Sequence, residues 1–262
     1  MNIEKEIKRQ ARKALHGNLS RLLAAAGVAA LLLLVLEFGQ YLVAYFTGAA
    51  DLNTGTANED NPIGFLLLMM GYVTAVLLVS PVLNGFLRMA MSAAVDRRCD
   101  SMEVFYYFRA PQLWFKTVLI NLLLYMMVTV SSSLVDIGTA LGVFFPEVFK
   151  ADAGLTVERL LTVLAGLMTW IIRALFFLLF AYYPLMRYAM DERTPVIRCV
   201  FATLPFSFRN WGKAVRLALS FAGWFALCFF VVPALYVVPY YAVAAATSAR
   251  WLIEMGSNGG EV

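Results

Sequence analysis

The chain has 262 residues, of which 61% are hydrophobic and only 15% are charged, and its mean hydropathy is +0.74. Soluble domains carry about 25% charged residues, so this composition excludes an ordinary soluble globule. The net charge of +4 and the pI of about 9.0 fit basic flanks of membrane segments that face anionic lipid headgroups. We therefore expect no nucleic-acid partner.

The chain opens with a segment over residues 2–17 that predicts an amphipathic helix lying in the membrane interface. Ile3, Ile7 and Leu15 share one face, and lysines and arginines surround that face. The apolar stretch that follows is too long for a signal-peptide core, and no clean cleavage site comes after it. We interpret it as a retained membrane-spanning helix.

Six apolar stretches approach the roughly 20 residues that a membrane-spanning helix needs. They cover residues 22–47, 63–90, 113–145, 160–188, 214–232 and 234–252. The last two are short and are separated only by Pro233, and we favour a tight hairpin over a single broken element. The prediction is one all-α transmembrane domain over residues 1–255, followed by a disordered tail at 256–262.

Basic residues are unevenly divided between the connections and orient the helices by the positive-inside rule. Eighteen of the 21 Lys and Arg residues precede the first span, join spans two and three or four and five, or follow the sixth span. Only Lys150 and Arg159 fall on the opposite side. Six spans in three hairpins with both termini cytoplasmic fit this pattern. Tyr182, Tyr183 and Tyr188 are interpreted as an aromatic belt at the inner end of span four.

Three parts of the chain resemble copies of one unit, which consists of an interfacial helix, an outward span and an inward span with a proline. The junctions before the outward spans read GNLSRLL, PQLWFKTV and FRNWGKAV, and the returning spans carry Pro81, Pro184 and Pro239. Further interfacial helices are expected around Met102 and after Thr194. Internal repeats are common in transport folds, but the small alphabet of membrane helices explains the pattern equally well. Each proline frees a carbonyl, so we expect the three prolines to face protein.

Three ionisable residues lie inside the predicted spans: Glu37, Asp136 and Arg173. A rise of about 1.5 Å per residue places Arg173 roughly 21 Å from the arginines on either side and Glu37 roughly 24 Å from the inner boundary. Because arginine keeps its charge, it needs a partner, and a carboxylate accepts its fork of hydrogen bonds. We predict a Glu37–Arg173 pair with Asp136 as second neighbour. An interhelical clamp and a water-lined polar site both stay open as its role.

The residues that usually carry catalysis or bind metals are sparse. Cys99, Cys199 and Cys228 have no paired or metal-like spacing, and His16 is the single histidine. We therefore expect no catalytic residue, no metal and no cofactor, and a protein that is not an enzyme.

The C-terminal stretch WGKAVRLALSFAGWFAL, followed by VVPYYAVAAA, resembles a bacterial integral membrane family, domain of unknown function 975. Leu219–Phe221, Gly223–Trp224 and Pro239–Tyr240 match its pattern, and ARKALHGN at residues 11–18 resembles its opening element. The chain departs from the family before span five, where it reads LPFSFRN. The resemblance implies a six-helix protein of the bacterial plasma (inner) membrane, with no known reaction, cofactor or catalytic residue.

Two functions of different classes fit these features. The first, which the buried charges, the repeat and the prolines favour, is transport of a solute, ion or lipid with Glu37 and Arg173 in the polar centre. The second is a non-catalytic accessory or scaffold subunit of another membrane complex, favoured by short outer loops and the basic cytoplasmic face. The expected partners are the lipid bilayer, anionic headgroups at the cytoplasmic face, and a second copy or another membrane protein.

Overall fold

The computed structural model of the protein describes residues 3–48, 61–95, 97–140, 155–228 and 231–258. All regular structure in these ranges is helical, which confirms the predicted all-α class. The elements are α1 Ile3–His16, α2 Leu19–Thr47, α3 Pro62–Ala93, a 3-10 helix Ser101–Phe108, α4 Pro111–Ala140, α5 Leu155–Phe180, α6 Tyr182–Met190, α7 Val196–Ser220, α8 Ala222–Leu227 and α9 Val231–Asn258.

Local sequence signals start and stop several of these helices. The side-chain oxygen of Asn61 accepts the N–H of Gly64 at 3.0 Å, and Pro62 occupies the first turn of α3. Asp100 caps the 3-10 helix in the same way. α2 ends at Thr47 and is followed by the capping residue Gly48, whose φ of 61° is the left-handed conformation that favours glycine.

In the described ranges, three helices are long and apolar enough to cross a membrane. These are α2, α3 and the stretch Pro111–Ser133 of α4. A fourth span is obtained if the stretch Met168–Phe180 of α5 is counted together with α6, although the two are bent by 40°. These helices coincide with the first four predicted spans, and the chain has the apolar helices of a membrane-embedded protein.

The last two predicted spans, and with them the six-span arrangement, are not confirmed. α7 runs without interruption from the predicted interfacial helix into the fifth stretch and ends at Ser220, and α8 continues only to Leu227. α9 covers the sixth stretch but buries Ala242–Ala246 and Ala249 inside the protein. Its buried apolar residues therefore pack against neighbouring helices. The threefold repeat, whose third copy needs the fifth and sixth spans, is not confirmed either.

α9 lies at the centre of the packed core. α1, α2, α3, α6 and α8 all contact it, and Tyr240 and Val243 are fully buried there. α1 is helical as predicted, but it turns its apolar face onto this core, with Ile7 and Leu15 buried. The apolar face of α1 thus contacts protein where the sequence predicted lipid. The tail predicted at 256–262 is helical as far as Asn258, and the rest of it lies outside the described residues.

The 3-10 helix, which corresponds to the interfacial segment predicted around Met102, packs tightly on α3. Its closest approach is at Gly85, where an added Cβ would overlap the carbonyl group of Val104. Val104 and Tyr107 are both buried in this contact. The absence of a side chain at Gly85 is what lets the two backbones come together.

The connections that the charge pattern assigns to one side meet at one end of the molecule. We call this end, formed by α1, residues 97–109, residues 187–198 and the last turns of α9, the basic end. Lys8 Nζ donates to the carbonyl of Ser220 at 2.6 Å, and Asn18 Nδ2 donates to the carbonyl of Arg97 at 3.1 Å. These contacts join segments that are far apart in the sequence.

Candidate functional site

Glu37 lies on a face of α2 that this chain leaves exposed. Leu33, Leu34 and Tyr41, three or four residues away on the same face, are exposed as well. Only 17% of the most apolar stretch of α2 is buried inside the protein. Among the described residues, Glu37 has no ion-pair partner. A carboxyl group therefore lies on the apolar surface of a helix that is long and apolar enough to cross a membrane.

The described contacts do not bring Glu37 and Arg173 together. Arg173 is exposed on α5, which packs mainly on α4, α6 and α7. α2 packs mainly on α3, α9 and the 3-10 helix. No ion pair between Glu37 and Arg173 is observed, although both residues lie in the described ranges. Asp136 lies in α4 at a position whose side chain is outside the described part of the chain, so its role stays a prediction.

The three predicted helix-break prolines are all buried, but they occupy different settings. Pro81 lies inside α3, which continues through it. Pro184 lies in the first turn of α6, just after the bend between α5 and α6, where a helix tolerates a residue without an N–H. Pro239 lies inside α9. Only Pro184 therefore coincides with a break.

A polar cluster at the basic end joins α3, the 3-10 helix and the connection between α6 and α7. Arg88 Nη1 donates to Glu192 Oε2 at 2.8 Å, and the Tyr106 hydroxyl donates to Glu192 Oε1 at 3.0 Å. The Arg88 guanidinium also lies over the Tyr106 ring, 3.9 Å from the ring centre. The Arg88 and Glu192 side chains are 25% and 21% exposed, so the pair is partly shielded from water.

The electrostatics of this cluster favour a charged Glu192. Burial alone would raise the pKa of Glu192, but hydrogen bonds from its own backbone N–H and Tyr106, together with Arg88, outweigh burial and lower that pKa. The pKa of the Tyr106 hydroxyl is raised by burial and by its hydrogen bond to Glu192. Neither group titrates near pH 7, so the cluster suits the joining of segments better than proton transfer.

Buried tyrosines extend the cluster into the protein. The rings of Tyr107 and Tyr188 stack with their centres 5.6 Å apart, and the Tyr188 hydroxyl lies 3.0 Å from that of Thr117. Tyr182 and Tyr183 donate to backbone carbonyls of α9 and α7, at 2.8 and 3.0 Å. The predicted aromatic belt of Tyr182, Tyr183 and Tyr188 is therefore wrong, since all three are core residues with their hydroxyls hydrogen bonded.

Sequence reasoning missed the Arg88–Glu192–Tyr106 cluster. The signal that could have pointed to it is Glu192 itself, which with Asp191 is acidic within an otherwise basic connection. An acidic residue on the basic side of a membrane protein calls for a partner. The arginine that supplies it lies 104 residues earlier, and no spacing pattern indicates that pairing.

The cysteines of the described chain are free thiols. Burial raises the pKa of Cys99 to about 11, and its Sγ donates to the carbonyl of Met89 at 3.2 Å, so this thiol is protonated and inert. Within the described residues, no three His, Cys, Asp or Glu side chains come together as a metal site.

Comparison with known proteins leaves the family open. No family model matches the chain, and no curated protein or solved structure shows significant similarity to it. Membership of domain of unknown function 975 therefore stays an expectation from the sequence.

Proposed function

We propose that the protein is a non-catalytic accessory subunit of another membrane complex, which it contacts inside the bilayer through α2 and α3. The observation that carries the proposal is Glu37, exposed among Leu33, Leu34 and Tyr41 and without an ion-pair partner in the described chain. A charged side chain in the hydrocarbon layer costs about 3 kcal/mol, and such residues normally face protein or water. A partner helix with a cation or hydrogen-bond donor at this depth would satisfy the carboxylate.

α2 and α3 pack on each other and together present the exposed apolar surface around Glu37. α2 and α3 approach each other near Gly71, where an added Cβ would lie 3.3 Å from Gln40. Their outer faces stay open, and only 11% of the most apolar stretch of α3 is buried. Lipid tails alone would cover these apolar faces, but they offer nothing to a carboxylate. Glu37 is what favours a protein partner over lipid.

The proposal puts the basic end at the cytoplasmic face of a bacterial inner membrane, following the positive-inside rule. α2 then begins at the cytoplasmic side and carries Glu37 into the outer half of the bilayer. The partner is expected to present its donor at the same depth, on a membrane-spanning helix.

Native mass spectrometry of the protein, extracted from its own membrane in a mild detergent, tests the proposal. We expect the wild-type chain in a complex with a different membrane-spanning chain. Glu37→Lys should abolish that complex, and Glu37→Gln should weaken it about tenfold, because the neutral amide loses a charge-assisted hydrogen bond. Thr129→Lys, on an exposed position of α4, is the matched control and should leave the complex intact.

Two results would contradict the accessory role. The first is that the extracted wild-type protein is observed only as a single chain. The second is a complex made only of copies of this chain, which would replace the accessory role with self-association.

Transport is the second candidate, and the break between α5 and α6 favours it. The two helices are bent by 40° around Ala181, and Arg173 lies exposed on α5 before the break. Broken membrane helices frequently form the substrate sites of transporters. A solute or lipid flux in liposomes that Arg173→Gln abolishes would favour transport over the accessory role.

A further inference from the structure

A cavity of about 260 Å³ opens at the basic end, between the ends of α3 and α6 and the side of α9. Arg88 near the end of α3, Arg97 in the connection that follows it and Arg250 in α9 line the cavity. We propose that this cavity binds a phosphate group. The site does not depend on the accessory role, because it lies away from the exposed face of α2 that carries Glu37.

The first support is the charge around the cavity. Three guanidinium groups repel one another unless counter-charges lie close to them. Arg88 pairs with Glu192 at 2.8 Å, and Arg250 pairs with Glu254 at 2.6 Å. Arg97 is exposed and has no ion-pair partner among the described residues. The cavity thus keeps positive charge that an anion would balance.

The second support is that the arginines keep N–H groups that the described contacts do not use. Arg88 donates from Nη1 to Glu192 and Arg250 donates from Nε to Glu254, and neither side chain makes another hydrogen bond among the described residues. The C-terminal ends of α3 and α6 beside the cavity oppose an anion, so the positive charge of the arginines has to outweigh these two helix ends.

The third support is the match between guanidinium and phosphate. The planar fork of an arginine donates two parallel hydrogen bonds to two oxygens of one phosphate group. Arg88 is held in place by Glu192 and by the Tyr106 ring, so little side-chain freedom is lost on binding. The phosphate can belong to the headgroup of an anionic phospholipid or to a free phosphate, and the experiment must separate these sources.

Thermal unfolding of the purified full-length protein in detergent micelles distinguishes the two sources. One arm adds inorganic phosphate at constant ionic strength. The other adds phosphatidylglycerol, with phosphatidylcholine as the neutral control lipid. A rise in the unfolding midpoint with phosphatidylglycerol alone identifies the headgroup, and a rise with both probes identifies any accessible phosphate. The absence of a rise with either probe overturns the proposal.

Paired variants test whether the cavity is the site. R97Q/R250Q should raise the half-saturating concentration of the stabilising probe about tenfold, because two charge-assisted contacts are lost. R193Q/R198Q removes the same charge from exposed positions at the basic end outside the cavity lining, and it should change nothing. R97K/R250K keeps the charge without the fork and should give a smaller loss. Equal losses in R97Q/R250Q and R193Q/R198Q, or no loss in R97Q/R250Q, overturn the proposal.

Discussion

Trp114 donates its indole N–H to the backbone carbonyl of Leu77 at 3.2 Å, across the contact between α4 and α3. That carbonyl would normally accept the N–H of the residue at position 81, which is Pro81 and has none. A tryptophan of one span therefore satisfies the acceptor that a proline frees in the neighbouring span. Because water is scarce in a bilayer, this contact allows α3 to continue through Pro81.

Replacing Trp114 with Phe should destabilise the protein by about 1–2 kcal/mol, because the Leu77 carbonyl loses its partner. Thermal unfolding in micelles measures the effect. Pro81→Ala restores a backbone N–H at position 81, so Trp114→Phe should cost less in a Pro81→Ala background. An equal cost in both backgrounds would mean that Trp114 contributes through packing alone.

Gly85→Ala should destabilise the protein by about 3 kcal/mol or more, because the new methyl group would overlap the Val104 carbonyl and push the 3-10 helix off α3. The matched control is Gly39→Ala in α2, where an added Cβ has no neighbour within 4 Å. That control should be neutral or stabilise by about 0.5–1 kcal/mol, through the better helix propensity of alanine. Similar unfolding midpoints for the two variants would contradict the close approach of the two backbones.

The parts of the fold that follow from the sequence are the long helices in which apolar residues predominate on every face. α2, α3 and α4 are of this kind, although Glu37 lies in α2 and Lys116 in α4, so length and composition suffice to find them. The sixth span, predicted over α9, is not confirmed, because the sequence does not distinguish an apolar residue that faces protein from one that faces lipid. Its buried alanines allow close packing with its neighbours, and composition does not reveal which neighbours these are.

The candidate site shows the same limit. Depth along a helix predicts where Glu37 and Arg173 lie across the membrane, but it does not predict which helices are neighbours. The packing of α2 on α3 and of α5 on α4 separates the two residues, and depth contains no information on that. The Arg88–Glu192 pair likewise depends on tertiary packing.

Lys8 joins α1 to the α7–α8 junction, and its removal should make local opening of α1 more frequent. Its Nζ donates to the Ser220 carbonyl at 2.6 Å and lies 4.5 Å from the centre of the Phe221 ring, and burial lowers its pKa. Lys8→Met should cost about 1 kcal/mol and speed hydrogen exchange at the amides of α1. Lys5→Met, at an exposed position of the same helix, is the control. Equal exchange rates in the two variants would show that Lys8 does not fasten the helix.

The protein should lose stability in acid, because protonation of Glu192 removes the stabilisation that its carboxylate provides. Its pKa is lower in the folded state than in the unfolded chain, where the pKa of a glutamate is about 4.3. The stabilisation is therefore fully present above about pH 4.3 and is lost as the pH falls through the folded pKa. Thermal unfolding midpoints measured from pH 7 downwards should fall in the wild type, and Glu192→Gln should flatten part of that fall.

The acid dependence that remains in Glu192→Gln comes from other carboxylates whose pKa values are lowered in the folded protein. Hydrogen bonds from Arg9 and Gln10 lower the pKa of Glu6, and the hydrogen bond from Thr194 lowers that of Asp191, so both groups keep contributing in Glu192→Gln.

At pH 7, Arg88→Gln alone should cost about 2 kcal/mol, because it leaves the partly buried Glu192 without its cation. The double variant R88Q/E192Q should be more stable than R88Q alone. If the double variant is the less stable of the two, or if Glu192→Gln keeps the full acid dependence of the wild type, the pair does not stabilise the basic end.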